Sequence, residues 1–110
     1  MKISKDRYQE LCDKREFVSG LNLAFQYDET KRYTSIAEIY YDFFATESGS
    51  IKEYAVVRYF GGAIAVRNCA ANSLSAIFRA IGTMLDGGYY DEVDTYKKLK
   101  EIEVPIRVEE

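Results

Sequence analysis

Between Tyr54 and Leu85 the spacing of apolar residues changes period once, and the change marks where a strand pair gives way to a helix. Val56, Val57, Tyr59 and Phe60 precede the pair Gly61-Gly62, and Ile64 and Val66 follow it. These β-branched and aromatic residues suit a pleated surface. The glycines tolerate the positive φ that a two-residue type I′ turn demands. Such a turn sets Tyr59 opposite Ile64, Arg58 opposite Ala65 and Val57 opposite Val66. Arg58 and Arg67 then fall diagonally on one basic face. Past Cys69, Leu74, Ile77, Phe78, Ile81, Met84 and Leu85 recur at helical spacing as one stripe. Asn72 or Ser73 stands where an N-cap belongs. Asp86-Gly87-Gly88 is a stop signal, with Gly87 able to take the left-handed cap conformation.

Taken in order, the chain opens with a helix from Ser4 to about Glu16. Ser4 caps it, Ile3 and Tyr8 are placed as a hydrophobic staple, and Tyr8, Leu11 and Cys12 form a narrow stripe. The charged run Asp13-Lys14-Arg15-Glu16 reads as the solvated end of that helix. From Gly20 to Tyr27, Leu21, Leu23, Phe25 and Tyr27 alternate with polar or small residues, the pattern of a half-buried strand. Asp28 to Arg32 is a polar turn. Tyr33 to Thr46 carries two patterns. Ser35 and Glu38 resemble a capping box, and Ile36, Ile39, Tyr40, Phe43 and Phe44 keep a helical period. Ala37, Ile39, Tyr41, Phe43 and Ala45 alternate, however, and Glu47 to Ser50 makes a turn into a strand at 52–60. A strand is the expectation here.

Beyond the central helix, Asp91 caps a shorter one reaching about Lys100. Glu92 and Asp94 sit at its N-terminal end and Lys97, Lys98 and Lys100 at its C-terminal end, as the helix dipole favours. Val93, Tyr96 and Leu99 face inward. Ile102, Val104, Ile106 and Val108 then alternate as a final strand, which Pro105 confines to an edge or breaks. No linker, repeat or low-complexity stretch divides the chain, so residues 1–110 form a single domain. The class is α+β: an antiparallel β-meander with two C-terminal helices packed on one face and a short N-terminal helix.

Composition narrows the function. With 110 residues, 47% of them hydrophobic, the chain can bury a core without disulfides or metal. Its net charge of −3 argues against a general nucleic-acid binder. Cys12 and Cys69 are far apart, in no metal-ligand spacing and beside apolar residues, so they read as buried free thiols in a reducing compartment. No signal, membrane-spanning or lipidation motif is visible, and a soluble protein in the host cytoplasm is expected. Ten tyrosines and six phenylalanines suit the margins of a small sheet-rich core, or an interface.

Histidine is absent, which removes the commonest general base and metal ligand and any Cys–His or Ser–His nucleophile. Glu38, Asp42, Glu47 and Glu53 read as exposed strand positions. No phosphate loop, dinucleotide fingerprint or calcium loop is present, so an enzyme, a metal or a cofactor is not expected. Binding remains. Arg58, Arg67, Asn68, Asn72 and Ser73, beside a helix N-terminus, suggest a pocket for a small anionic nucleotide, because guanidinium groups pair bidentately with phosphate and free helical N–H groups favour negative charge. Tyr54, Tyr59, Phe60 and Phe78 lie near enough in sequence to stack on a base, and Arg107 is a further, weaker candidate for the same pocket.

The order of parts, a compact antiparallel sheet, then the helix spelled NSLSAIFRAIGTMLDGG, then a second short helix, resembles small phage-encoded anti-defence proteins. Most of all it resembles the signal-sponge family that counters Thoeris immunity, over roughly Tyr33 to Val108. That resemblance implies a symmetric homo-oligomer that sequesters cyclic nucleotide or cyclic ADP-ribose signals without cleaving them. Two alternatives stand beside it. One is a protein-binding inhibitor of a host nuclease, in the manner of an anti-CRISPR protein, whose negative surface comes from Asp42, Glu47, Glu53, Asp91, Glu92 and Asp94. The other is a structural or regulatory subunit that oligomerises through its tyrosine-rich surface.

Overall fold

A computed structural model describes residues 1–26, 36–87 and 92–110. Within them the elements run β1 (Lys2–Ile3), α1 (Lys5–Gln26), β2 (Ile36–Ala45), β3 (Ile51–Tyr59), β4 (Ile64–Asn68), α2 (Leu74–Gly87), α3 (Val93–Glu101) and β5 (Arg107–Val108). The class is α+β, as expected. Strands β2, β3 and β4 make an antiparallel meander in that order, and β1 pairs with β5 in a separate two-residue parallel ribbon.

The segment with two competing patterns is strand β2. Its odd residues Ile39, Tyr41 and Phe43 join Ala55, Val57 and Ala65 in one buried cluster with Leu11 and Val18 of α1 and Ile77, Ile81 and Met84 of α2. Its even residue Phe44 joins Tyr54, Val56 and Val66 against Tyr96 of α3, with Tyr40, Ile64, Val93 and Leu99 at the margin. The sheet is therefore the middle layer of three. The expected arrangement, both C-terminal helices on one face, is corrected: α2 and α3 take opposite faces, and α1 is α2's neighbour. The cause is the two-residue period of β2 and β3, which are apolar on both sides and need cover on both. Each aliphatic side chain so buried contributes roughly 1.5–3 kcal/mol.

The N-terminal helix is long, not short. Ser4 caps it, its Oγ accepting from the Arg7 N–H at 3.1 Å, but the helix then runs 22 residues through the stretch expected to be a strand. Leu11, Lys14, Val18, Leu21 and Asn22 keep a helical inward stripe across the charged run, and no proline interrupts it. The alternation of Leu21 and Leu23 carries no strand: Leu23 is 59% exposed. Asn22, on the polar side of that alternation, is the residue that docks. Its Oδ1 accepts the Ile39 N–H at 2.6 Å and its Nδ2 donates to the Ile39 carbonyl.

Turns follow their glycines. Thr46 N–H donates to Ser50 O at 2.9 Å around Gly49, which has φ 82°. Between Tyr59 and Ala63, the last hydrogen-bonded pair of the hairpin, the loop has three residues, Phe60 to Gly62, rather than two. Tyr59 N–H donates to Ala63 O at 2.9 Å, Gly62 N–H to Tyr59 O at 3.2 Å, and Gly61 and Gly62 hold φ 100° and 90°. The register is accordingly one residue off the expected one: Arg58 pairs with Ile64, Val57 with Ala65, Val56 with Val66 and Ala55 with Arg67.

Helix α3 has Tyr96 buried with Val93 and Leu99 beside it, as its pattern required. Its cap position is Glu92, with φ 68° and no side-chain cap bond; Asp91, the expected cap, lies outside the described residues, as do Gly88, Tyr27 at the end of the stretch expected to be a strand, the turn at 28–32 and residues 33–35. The final strand is shorter than its alternation suggested. Only Arg107 and Val108 form a ladder, Val104 makes a single bridge to Ala45, and Pro105 separates the two.

Candidate functional site

The one-residue change of register decides the fate of the expected basic pocket. Arg58 shares its side of the sheet with Val56 and Ile64, the α3 side, whereas Arg67 pairs with Ala55 on the side covered by α1 and α2. The two side chains therefore leave the sheet on opposite faces. Arg58 is exposed and donates through Nε to Glu38 Oε2 at 3.1 Å. Asn68 is held by its own surroundings: its N–H donates to the Glu92 carboxylate at 3.1 Å and its Oδ1 accepts from Ala70 N–H at 3.0 Å. Ser73 is the α2 N-cap, accepting from Ala76 N–H at 3.3 Å, and exposed Asn72 precedes it. Tyr59 packs at the margin of the α1–α2 core, Phe60 is 71% exposed at the turn tip, and Arg107 is exposed on the β1–β5 ribbon. Of the eight residues, only Asn72 and Ser73 stand together at a helix N-terminus.

Two of the acids expected on the surface are internal. Glu53, on the α1–α2 side, accepts from Lys14 Nζ at 3.1 Å, from Arg7 Nη2 at 3.1 Å and from the Tyr41 hydroxyl at 2.5 Å. Lys14 also donates to the Ala71 carbonyl at 3.3 Å and pairs with Glu10 at 3.4 Å. Lys14, expected at a solvated helix end, is thus a buried link between α1, β3 and the approach to α2. On the other face Asp42 accepts from the Tyr96 hydroxyl at 2.8 Å and from Lys100. Burial, then the Glu53 carboxylate, pushes the Tyr41 hydroxyl far above its ordinary range. Burial and Asp42 do the same to Tyr96. Burial above all, with Glu53 nearby, pushes the Cys69 thiol up to about 12. Cys12 and Cys69 are both free thiols, with Cys69 buried and Cys12 half-buried. Among the described residues no buried side-chain polar atom lacks a partner. These groups are committed to holding elements together.

What remains open is the flank that α1 turns toward α2. Asp6, Glu10, Asp13, Phe17 and Gly20 recur there at three- and four-residue spacing, one stripe along the helix. Facing it from α2 are Leu74 and, one turn on, Phe78. The Phe17 and Phe78 rings meet edge to face, centroids 5.7 Å apart, a preferred aromatic geometry. Yet Phe17 is 36% exposed, Phe78 52% and Leu74 40%. On one side of this pair lies a cleft of about 350 Å³ lined by Asp6, Gln9, Glu10, Asp13, Lys14, Asn72 and Leu74. On the other, a shallower one of about 470 Å³ is lined by Asp13, Glu16, Phe17, Gly20 and Leu21. Asp13 lines both, so the two clefts adjoin along α1. The apolar stripe of α2 was legible in the sequence, but its breadth hid the fact that Leu74 and Phe78 stay half outside. The α1 flank was missed because its helix was ended at Glu16.

No described helix is long and apolar enough to cross a membrane, and no described cluster of acids, cysteines or histidines has the form of a metal site. Compared with family models, curated proteins and solved structures, the chain finds no match.

Proposed function

We propose that this protein acts by binding another protein, without catalysis, through the groove between α1 and α2. The observation that carries the reading is the Phe17–Phe78 pair: two aromatic rings in van der Waals contact with each other and partly open to solvent, with Leu74 exposed nearby and acids lining the adjoining clefts. An apolar centre with a charged rim is the anatomy of a protein interface, and clustered aromatics are where binding energy concentrates. The rest of the molecule supports the same reading. Its buried acids are spent on internal ion pairs, and the chain has no histidine to move protons at neutral pH.

Of the functions weighed from the sequence, inhibition by occupying a partner's surface keeps its physical ground. Its acids are Asp6, Glu10, Asp13 and Glu16 rather than Asp42 and Glu53, which are buried. Capture of a small nucleotide by Arg58 and Arg67 loses its ground, because those side chains stand on opposite faces of the sheet.

The test is selection of a displayed random-peptide library on the wild-type protein, with counter-selection on a Phe17→Glu/Phe78→Glu variant whose fold is first checked by circular dichroism. Binders weakened about tenfold or more in the variant are expected, a loss of about 1.4 kcal/mol. Selection yielding nothing, or only peptides the variant holds equally well, would overturn the reading.

A further inference from the structure

We infer that the occupant of the α1–α2 groove is an amphipathic helix with a basic flank, an inference that rests on the protein-binding reading above. The wall supplied by α1 from Asp6 to Gly20 spans fifteen residues, about 21 Å at helical rise, which matches about four turns of a partner helix. The groove's polarity is graded along that length. Phe17, Phe78, Leu74 and half-buried Leu21 make the apolar centre, where side chains at i, i+4 and i+7 of a partner helix would insert. Asp6, Glu10 and Asp13 line the cleft toward the N-terminal end of α1, and Glu16 rims the other.

The groove's own cations leave this charge largely uncompensated. Arg7 and Lys14 reach Glu10 at 3.2 and 3.4 Å, but both also turn inward to Glu53, and Lys14 is buried. Asp6, Asp13 and Glu16 are exposed and have no ion-pair partner among the described residues. Charge then selects among occupants. A second copy docked by two-fold symmetry would set this same acidic flank against itself. An anionic membrane surface would be repelled by it. A helix carrying lysine or arginine on the flank beside its apolar stripe satisfies both the centre and the rim.

The experiment uses the intact protein and two designed sixteen-residue peptides. Both carry leucine at helical spacing, one with a lysine flank and one with glutamate in its place. Fluorescence anisotropy is read at about 0.15 M salt and again at high salt, where exposed charges are screened. The lysine peptide should bind about tenfold or more tighter than the glutamate peptide. That preference should shrink at high salt and collapse in Asp6→Lys/Asp13→Lys, and binding should be lost in Phe78→Glu. A lysine preference that survives the charge reversal would overturn the assignment. Equal binding of both peptides that still requires Phe78 would overturn it while leaving the protein-binding groove in place. Light scattering adds a separate check, because a dimer dissociated by Phe78→Glu would make the occupant a second copy and overturn the inference.

Discussion

The side-chain amide of Asn22 pairs with both backbone groups of Ile39: its Oδ1 accepts the N–H at 2.6 Å and its Nδ2 donates to the carbonyl. An amide in this orientation mimics a neighbouring strand at the outer edge of β2. Edge groups left open are templates for pairing with other chains. Asn22→Leu removes both bonds and should cost about 1–3 kcal/mol; Asn22→Asp keeps the acceptor and loses the donor. Urea denaturation gives the stability, and amide hydrogen exchange at Ile39 gives the mechanism. Unchanged protection of that amide in the leucine variant would contradict this role.

The same residue shows where sequence reasoning stopped. Strand β2, the turn at 47–50, the stripe of α2 and the inward residues of α3 were all legible, because their periods are strong and their ends carry turn or capping residues. The segment around Asn22 was misread because Leu21, Leu23 and Phe25 alternate over a span too short to separate a strand from a helix. Only the tertiary partner, an open strand edge, makes an asparagine the inward contact and a leucine the exposed one. The basic pocket failed for a smaller reason, one residue in a turn, since a slip of one exchanges the two faces of a strand. The groove was invisible because it needs two helices from distant parts of the chain and the knowledge that α1 continues to Gln26.

Glu53 is 2% exposed and holds Lys14, Arg7 and Tyr41. Glu53→Ala leaves the Lys14 ammonium buried with no carboxylate inside the core, and should cost about 3–5 kcal/mol. The double variant Lys14→Met/Glu53→Leu should cost clearly less than the two single changes added together. A double-mutant cycle in urea measures this, and strict additivity would mean the pair is not coupled.

Stability should fall in alkali, beginning at the Cys69 thiol. Its pKa rises from 9.0 to about 12 on folding, so the folded state holds the proton more tightly. The stabilisation is complete below about pH 9 and is lost as pH climbs toward 12, at no more than about 1.4 kcal/mol per pH unit for one group. Tyr41 and Tyr96, raised from 10.0, act in the same direction above pH 10. Chemical denaturation at pH 8, 9 and 10 should show a decline that Cys69→Ala flattens between 9 and 10. An identical slope in both proteins would assign the decline elsewhere.

Phe17→Ala and Phe78→Ala should separate binding from folding. Each ring is partly exposed, so losing the edge-to-face pair, about 0.5–1.5 kcal/mol, and the buried part of one ring should together lower stability by roughly 1–3 kcal/mol and leave the protein folded. The same truncations at the centre of an interface should cost about 2 kcal/mol or more of affinity, read by anisotropy with the lysine peptide. A loss of folding that matches the loss of binding would count against a dedicated surface.

Gly61→Ala places a Cβ at φ 100° in open space, so only backbone strain is at stake. A destabilisation of about 1–2 kcal/mol is expected, seen as a lower urea midpoint with unchanged slope. A neutral result would mean the loop relaxes to another turn.

Helix α1 meets its surroundings on three sides at once: Leu11 and Val18 in the core, Asn22 on the rim of the sheet, and Phe17 in the open groove. A ligand that grips the last of these also clamps the other two. Occupancy should therefore slow the peeling of α1 and keep the backbone of β2 away from stray polypeptide, so that an engaged molecule resists self-association better than an idle one.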